Sequence, residues 1–412
     1  MGEGGPSPQF EVSSLLASLA TGLGRSSFPA AHSQAMLNDV ARAHGHPTNL
    51  TVLSTVSIIN DPGTGTVVMQ TIDNGTYRSD QIVAVQEQLA LARSATAPPA
   101  EITAALGEIA NRPPPLPTWV RVLGYGLAAA GFGAVFRLRP TELLIALVLG
   151  LVVAVALLRV SSSSRAGALL PVAATFAVAL VVGLVTVTTG VDDPVRLAVI
   201  PVFFLLPGAT LTTAVIELVN GDMLAGSSRL SFALMQLAGM GFAFVLAIQL
   251  TGVSASRLDD LPPASGPAWL PWLGALTYAL GLTLYNCVPG RLRVPTVLLA
   301  VFAFFVQQAG AQWLSPAMAG GVATMLALLG AYVLNSREGD GPAALVLFMP
   351  AFWLVVPGSA GFTALTGALT SNASLARLGP QVVLTIVGMA IGIMVASLIW
   401  ARVRPWSTSE PD

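Results

Sequence analysis

From Trp119 onward the sequence is one apolar run after another, each about 17–25 residues long, the length that crosses a bilayer as a helix. Ten runs are distinguishable, at approximately 119–136, 141–158, 168–187, 197–216, 230–252, 269–288, 294–314, 316–334, 342–369 and 378–401. A backbone inside lipid has no water to bond with, so runs of this length must satisfy their own polar groups as helices. The reading is a polytopic α-helical membrane protein with ten transmembrane helices. Composition agrees: 54% of the residues are hydrophobic and 9% charged, against about a quarter charged in soluble domains.

The fourth and ninth runs are near copies. Pro201-Val-Phe-Phe-Leu-Leu-Pro207-Gly208-Ala209 and Pro350-Ala-Phe-Trp-Leu-Val-Val-Pro357-Gly358-Ser359 place their Pro-Gly pairs 150 residues apart. Proline removes a backbone donor and clashes with the preceding turn, so each run is expected to be a broken helix. A break at membrane depth is tolerated only in buried protein or beside a cavity. The same offset relates Trp119, Leu123, Gly124, Ala129 and Gly131 to Trp269, Leu273, Gly274, Ala279 and Gly281. Five spans per unit is an odd number, so a second unit at 268–402 would enter the bilayer opposite to the first at 118–253. That arrangement is two inverted five-helix repeats, and interrupted helices at matching positions then point to a binding site. For either break alone, an ordinary kink is the competing explanation.

Residues 1–117 read differently. They hold all three histidines, nine acids and five arginines, and end in the stiff linker Arg112-Pro-Pro-Pro-Leu-Pro117. Leu15, Leu16, Leu19 and Leu23 fall on one helical face, and a second helix is expected over Ala30–His44. Leu50–Ile59 and Thr66–Ile72 are β-branched runs either side of Asp61-Pro62-Gly63, a hairpin signal. Helices are expected over Asp80–Arg93, with Asp80 as N-cap, and over Glu101–Ile109. The sum is a small soluble α+β domain. The first ten residues carry no positive charge, so no signal peptide is expected to be removed. With this domain inside, ten arginines flank the inner ends of the spans and five the outer loops, favouring cytoplasmic N- and C-termini.

Several chemistries are excluded. All 19 basic residues are arginine, so neither Schiff-base nor Walker-type lysine chemistry is available. Near-zero net charge argues against nucleic acid. His44-Gly45-His46 lacks HExxH or cysteine companions, no GxSxG elbow is present, and Cys287 stands alone in an apolar run. No catalytic residue, cofactor or metal is therefore assigned.

Candidate polar groups cluster after the first break: Thr210, Thr212, Thr213, Glu217, Asn220, Asp222 and Arg229. Glu217 reads either as an intramembrane proton carrier or as a rim residue paired with Arg229. Gly208 and Gly358 would open half-helices whose free N–H groups attract a substrate carboxylate. Pro207, Gly208, Thr210, Pro357, Gly358 and Ser359 are thus the expected substrate-binding positions. Gln307, Gln308, Gln312, Tyr278 and Asn286 read mainly as interhelical glue.

Three stretches carry a family resemblance. Leu218-Val-Asn220-Gly221-Asp222 followed by Arg229-Leu230 resembles the L-x-N-G-D…R-L stretch of the threonine/serine exporter family. Pro350–Gly361 is similar to its P-x-x-x-L-V-P-G-S-x-G stretch, and Pro117-Thr-Trp119-Val-Arg121 to its P-x-W-x-R stretch. The resemblance implies a bacterial plasma-membrane protein exporting threonine and serine, driven by the proton motive force. An acid usual in the family's N-terminal region aligns here with Gln34. Split relatives are associated with dicarboxylate export, so a succinate-like substrate is the alternative. A membrane-tethered enzyme or sensor using the soluble domain is the reading from another class.

Overall fold

The computed structural model describes residues 8–46, 48–62, 65–72, 75–160, 164–189, 191, 193–254, 266–336, 343–356 and 379–403. The N-terminal region, expected from the sequence to be a soluble domain, contains α1 (Pro8–Arg25), α2 (Ala30–Ala43), β1 (Asn49–Val52), β2 (Val56–Asp61), β3 (Thr66–Thr71), α3 (Ser79–Ser94) and α4 (Pro99–Asn111). Its sheet is antiparallel in the order β1-β2-β3, with Ile59 opposite both Leu50 and Val68. The four leucines of α1 are fully buried and share a core with Ile59, Val85 and Leu89.

Two local expectations are corrected. The run Leu50–Ile59 is two strands, because the chain turns at Leu53–Thr55, closed by Leu53 N–H to the Val56 carbonyl at 2.8 Å. β-Branched residues on both sides of Ser54 hide that turn. Asp80 lies inside the first turn of α3 rather than capping it; Arg78 precedes the helix, and its N–H donates to Gln81 Oε1 at 3.1 Å. Asp80 instead binds the Arg78 side chain at 3.0 Å.

Beyond the linker follow α5 (Thr118–Val135), α6 (Pro140–Arg159), α7 (Arg165–Thr189), α8 (Pro194–Val199) with a 3-10 turn Ile200–Leu205, α9 (Gly208–Val219) and α10 (Met223–Thr251). Then come α11 (Leu270–Tyr285), α12 (Gly290–Gly310), α13 (Pro316–Asn335), α14 (Ala343–Val355) and α15 (Gly379–Val403). Among the described residues six of these helices are long and apolar enough to cross a membrane, and the bent pair Pro194–Leu205 plus Gly208–Val219 makes up to seven. The protein is a helical polytopic membrane protein with a small three-stranded sheet at its N-terminal end. α5 and α11 are shorter or more glycine-rich than those spans, and α14 ends at Val355; from residue 357 on, the expected ninth run lies outside the described residues.

Glycine decides how α5 and α11 pack. A Cβ on Gly124 would lie 2.7 Å from the Gly281 carbonyl oxygen, and one on Gly274 would lie 2.6 Å from that of Gly131. Gly124 faces Gly281 while Gly131 faces Gly274, so the two helices run antiparallel with backbones in contact. Small residues at membrane helix interfaces permit this approach, which replaces the missing hydrophobic drive with close packing. α13 and α15 run parallel, with Ala317 and Gly321 against Gly388 and Gly392. α7 and α10 also run parallel, with Val172 near Gly239 and Gly183 near Thr251.

The soluble domain is interlocked with one end of the bundle. Ser79 N–H donates to the Asn286 carbonyl at 3.0 Å, and Ala343 N–H donates to Gln86 Oε1 at 2.6 Å. The hydroxyls of Ser54 and Ser228 lie 3.3 Å apart. Val83 of α3 belongs to the membrane core, and Ala225 of α10 belongs to the soluble core.

Candidate functional site

The first Pro-Gly pair breaks its helix as the residues dictate. Leu206 is extended, α9 restarts at Gly208, and the two pieces are bent by 60°. The break frees carbonyls that need donors. Gln236 of α10 supplies one, its Nε2 donating to the Leu205 carbonyl at 2.6 Å. Tyr125 of α5 supplies another, its hydroxyl donating to the Pro201 carbonyl at 2.9 Å.

The two near-copy stretches meet here. A Cβ on Gly208 would lie 2.6 Å from Cγ1 of Val356, the residue before Pro357, and Phe204 stacks on Trp353 with ring centroids 5.6 Å apart. At the position equivalent to Leu205, the Val355 carbonyl accepts from Gln307 Nε2 at 3.2 Å. Both stretches therefore hand the matching carbonyl to a glutamine from a neighbouring helix. Pro357, Gly358 and Ser359, with Thr363, lie outside the described residues.

A cavity of about 300 Å³ opens beside α9. Its walls come from α9, α13, α14 and α15, and its polar groups include Thr212, Thr213, Asn220, Tyr332 and Ser397. The remaining lining is largely apolar, including Phe348 and Phe352. Of the sequence candidates, Thr212, Thr213 and Asn220 face it, whereas Pro207, Gly208 and Thr210 are not among its lining. Thr212 returns its hydroxyl to the Gly208 carbonyl at 3.0 Å, tying the second turn of α9 to the break. The Tyr332 and Ser397 hydroxyls lie 3.3 Å apart across α13 and α15.

Glu217 sits in the last turn of α9, 1% exposed, with Oε2 3.0 Å from Arg229 Nε. The pair is close in space but poorly aligned, so neither carboxylate oxygen has a well-formed hydrogen bond among the described residues. The Ala30 amide at the start of α2 lies against the same carboxylate. Asp222 precedes α10, and its N–H donates to the Glu217 carbonyl at 2.8 Å, closing the Asn220-Gly221 turn with Gly221 at φ +88°. The four-residue motif thus builds one corner where the soluble domain meets the bundle.

The other sequence candidates are structural or dispersed. His44 Nε2 faces the Ala92 carbonyl at 3.0 Å, His46 lies 3.4 Å from Asp61, and His32 stands edge-on to Phe28. Gln34, where the family's acid would stand, accepts from Val52 N–H at 3.2 Å and so holds the end of β1. Cys287 is buried in a left-handed turn rather than within a helix, and burial pushes its thiol pKa up. Asn286 contributes its backbone carbonyl to the domain contact, and the buried Tyr278 hydroxyl has no partner among the described residues.

Sequence reasoning missed Gln236, Tyr332, Ser397 and His32. Gln236 carried a usable signal, an amide in the middle of a long apolar helix whose other glutamine, Gln249, stands near its end. His32 carried none, because only the docking of the domain brings it to the cavity.

A family model described as "Putative threonine/serine exporter" matches residues 15–251. No curated protein and no solved structure matches the chain. The matched stretch takes in most of the N-terminal region, helices α5 to α10 with the first break, and the Glu217–Arg229 corner; the Pro350–Gly361 stretch lies beyond it. It covers more than half of the 412 residues, and the chain belongs to the threonine/serine exporter family.

Proposed function

We propose that this protein is a secondary active exporter of threonine and serine, built as ten spans in two inverted five-helix units, with the two broken helices flanking the transport site. The observation that carries the reading is the contact between Gly208 and Val356, which brings the two near-copy stretches together although their Pro-Gly pairs are 150 residues apart in sequence. The reciprocal glycine contacts support the inverted symmetry. Residues 124 and 131 of α5 correspond at the 150-residue offset to 274 and 281 of α11, and each touches the partner of the other. A two-fold axis lying in the membrane plane produces that pattern. The helix ends keep the same offset: α5 stops at Val135 and α11 at Tyr285, while α6 begins at Pro140 and α12 at Gly290. Arg137 and Cys287 are likewise equivalent, with φ of +58° and +55°.

The substrate follows from what the cavity offers. Hydroxyl and amide groups of Thr212, Thr213 and Asn220 suit a small hydroxylated amino acid, and about 300 Å³ accommodates one with water. Pro207, Gly208 and Thr210 of the first break, with Pro357, Gly358 and Ser359 of the second stretch, which lie outside the described residues, are assigned to substrate binding on the sequence pattern alone. No lysine-based phosphate loop exists, so the driving force is an ion gradient, with Glu217 as proton carrier, released from and recaptured by Arg229. The soluble domain and both termini lie on the cytoplasmic side.

Cells carrying or lacking the gene, loaded with a threonine-containing dipeptide, test the reading by threonine efflux. Efflux is expected to fall sharply in the deletion and return on complementation; unchanged efflux overturns it. Succinate in the same assay separates the dicarboxylate alternative.

A further inference from the structure

The soluble domain does more than sit on the bundle. The turn between α1 and α2 reaches the cavity, and Ser27, Phe28, Pro29 and His32 form part of its wall. That turn is rigidly held. Ser26 N–H donates to the Gly22 carbonyl at 3.0 Å, Phe28 N–H to that of Leu23 at 3.1 Å, and Ser27 is left-handed at φ +58°. Backbone held in such a conformation persists only where the surroundings over-determine it. Behind the turn, α2 begins at Ala30 against the Glu217 carboxylate.

His32 is the polar group this wall presents. Its Nδ1 is buried and has no hydrogen-bond partner among the described residues. His32 itself borders the cavity, and an imidazole there can donate to or accept from a small polar ligand. Across the cavity on the membrane side are Thr213 and Asn220, whose hydroxyl and amide can donate or accept, and Thr212, whose hydroxyl donates to Gly208 and can still accept.

We infer that the substrate site is composite, with the soluble domain supplying one wall and His32 as a substrate-binding side chain for a small hydroxylated amino acid. The inference rests on the export reading given above. It assigns the domain a direct part in substrate capture: a zwitterion entering from the domain side meets His32 and the α9 hydroxyls together.

Purified full-length protein in proteoliposomes, assayed for threonine transport, tests this. His32→Ala is expected to raise KM for threonine about tenfold, what one buried hydrogen bond is worth, with kcat little changed. His32→Gln, which keeps a donor and an acceptor, should recover most of that loss. A second measurement does not depend on turnover. Ser27→Cys is labelled with a maleimide, with the buried Cys287 of the unsubstituted chain giving the background, and L-threonine should slow its labelling several-fold. Wild-type KM in His32→Ala, or labelling indifferent to threonine while the protein still transports it, overturns the composite site and leaves the export reading standing. Wild-type protein that neither transports threonine nor is protected by it overturns both.

Discussion

Glu217 and Arg229 show how much a side chain's meaning depends on its partner. A carboxylate at 1% exposure is costly alone, and Arg229 at 3.0 Å is the cation placed to offset it. Removing one member of such a buried pair leaves the other uncompensated. Arg229→Ala is therefore expected to destabilise the protein by about 3–5 kcal/mol, read as a fall in thermal midpoint in detergent. Glu217→Gln should cost less, because it keeps nearly the same shape and the arginine it leaves unpaired is 22% exposed, while abolishing proton-driven uptake in vesicles. Survival of coupling in Glu217→Gln moves the proton elsewhere. His32 gives a second expectation at this scale. Burial lowers its pKa below the ordinary 6.5, and Asp222 opposes that only in part. The unfolded chain then binds more protons than the folded one as pH falls below about 6.5. The associated stability is present above that pH and lost below it. Midpoints measured at pH 7.5 and 5.5 should differ more in the wild type than in His32→Gln.

Elements carry a different kind of information. The break at Pro207 was legible because proline and glycine act on the backbone locally, whatever surrounds them. Its bend of 60° follows from that chemistry. What sequence did not reveal is how the freed carbonyls are satisfied, since Gln236 and Gln307 come from helices that are not equivalent under the 150-residue offset. The crossing of α5 and α11 was half legible: the four glycines stood out at matching positions, but not that each faces its counterpart's neighbour. Gly281→Val would drive a branched side chain into the backbone of α5 at Gly124 and Ala128. A marked loss of folded, monodisperse protein is expected, whereas Pro207→Ala should insert and fold yet transport poorly. Normal transport by Pro207→Ala would reduce the break to an ordinary kink.

At the scale of the whole molecule, the soluble domain and the bundle form one body. Ala225 packs into the soluble core and Val83 into the membrane core. The domain's contacts fall on the start of α10, the α11–α12 turn and the start of α14, which the proposed ten-span topology would put on one side of the membrane. The same proposal puts Arg137 and Gly266, bonded to each other, on the opposite side. Ser54→Cys with Ser228→Cys, at hydroxyl positions 3.3 Å apart, is expected to form a disulfide readily under mild oxidation. A cysteine placed at Arg139, next to the Arg137 turn, should react with an impermeant reagent only from the other face. Labelling of both positions from one side would break the proposed topology.

The sequence by itself determined that this chain enters a membrane, roughly where each helix runs, where one must break, and that a compact domain precedes them. Those properties are local or additive: apolar length, proline and glycine chemistry, and periodicity act over a turn or a span. Tertiary structure alone decided which residues confront one another. Gly208 against Val356, His32 at a cavity lined from α9 and α15, and Arg229 on Glu217 rather than in solvent all depend on the packing of distant helices. An apolar face specifies that it must be buried, but many partners satisfy it equally, and only close packing at small residues selects one.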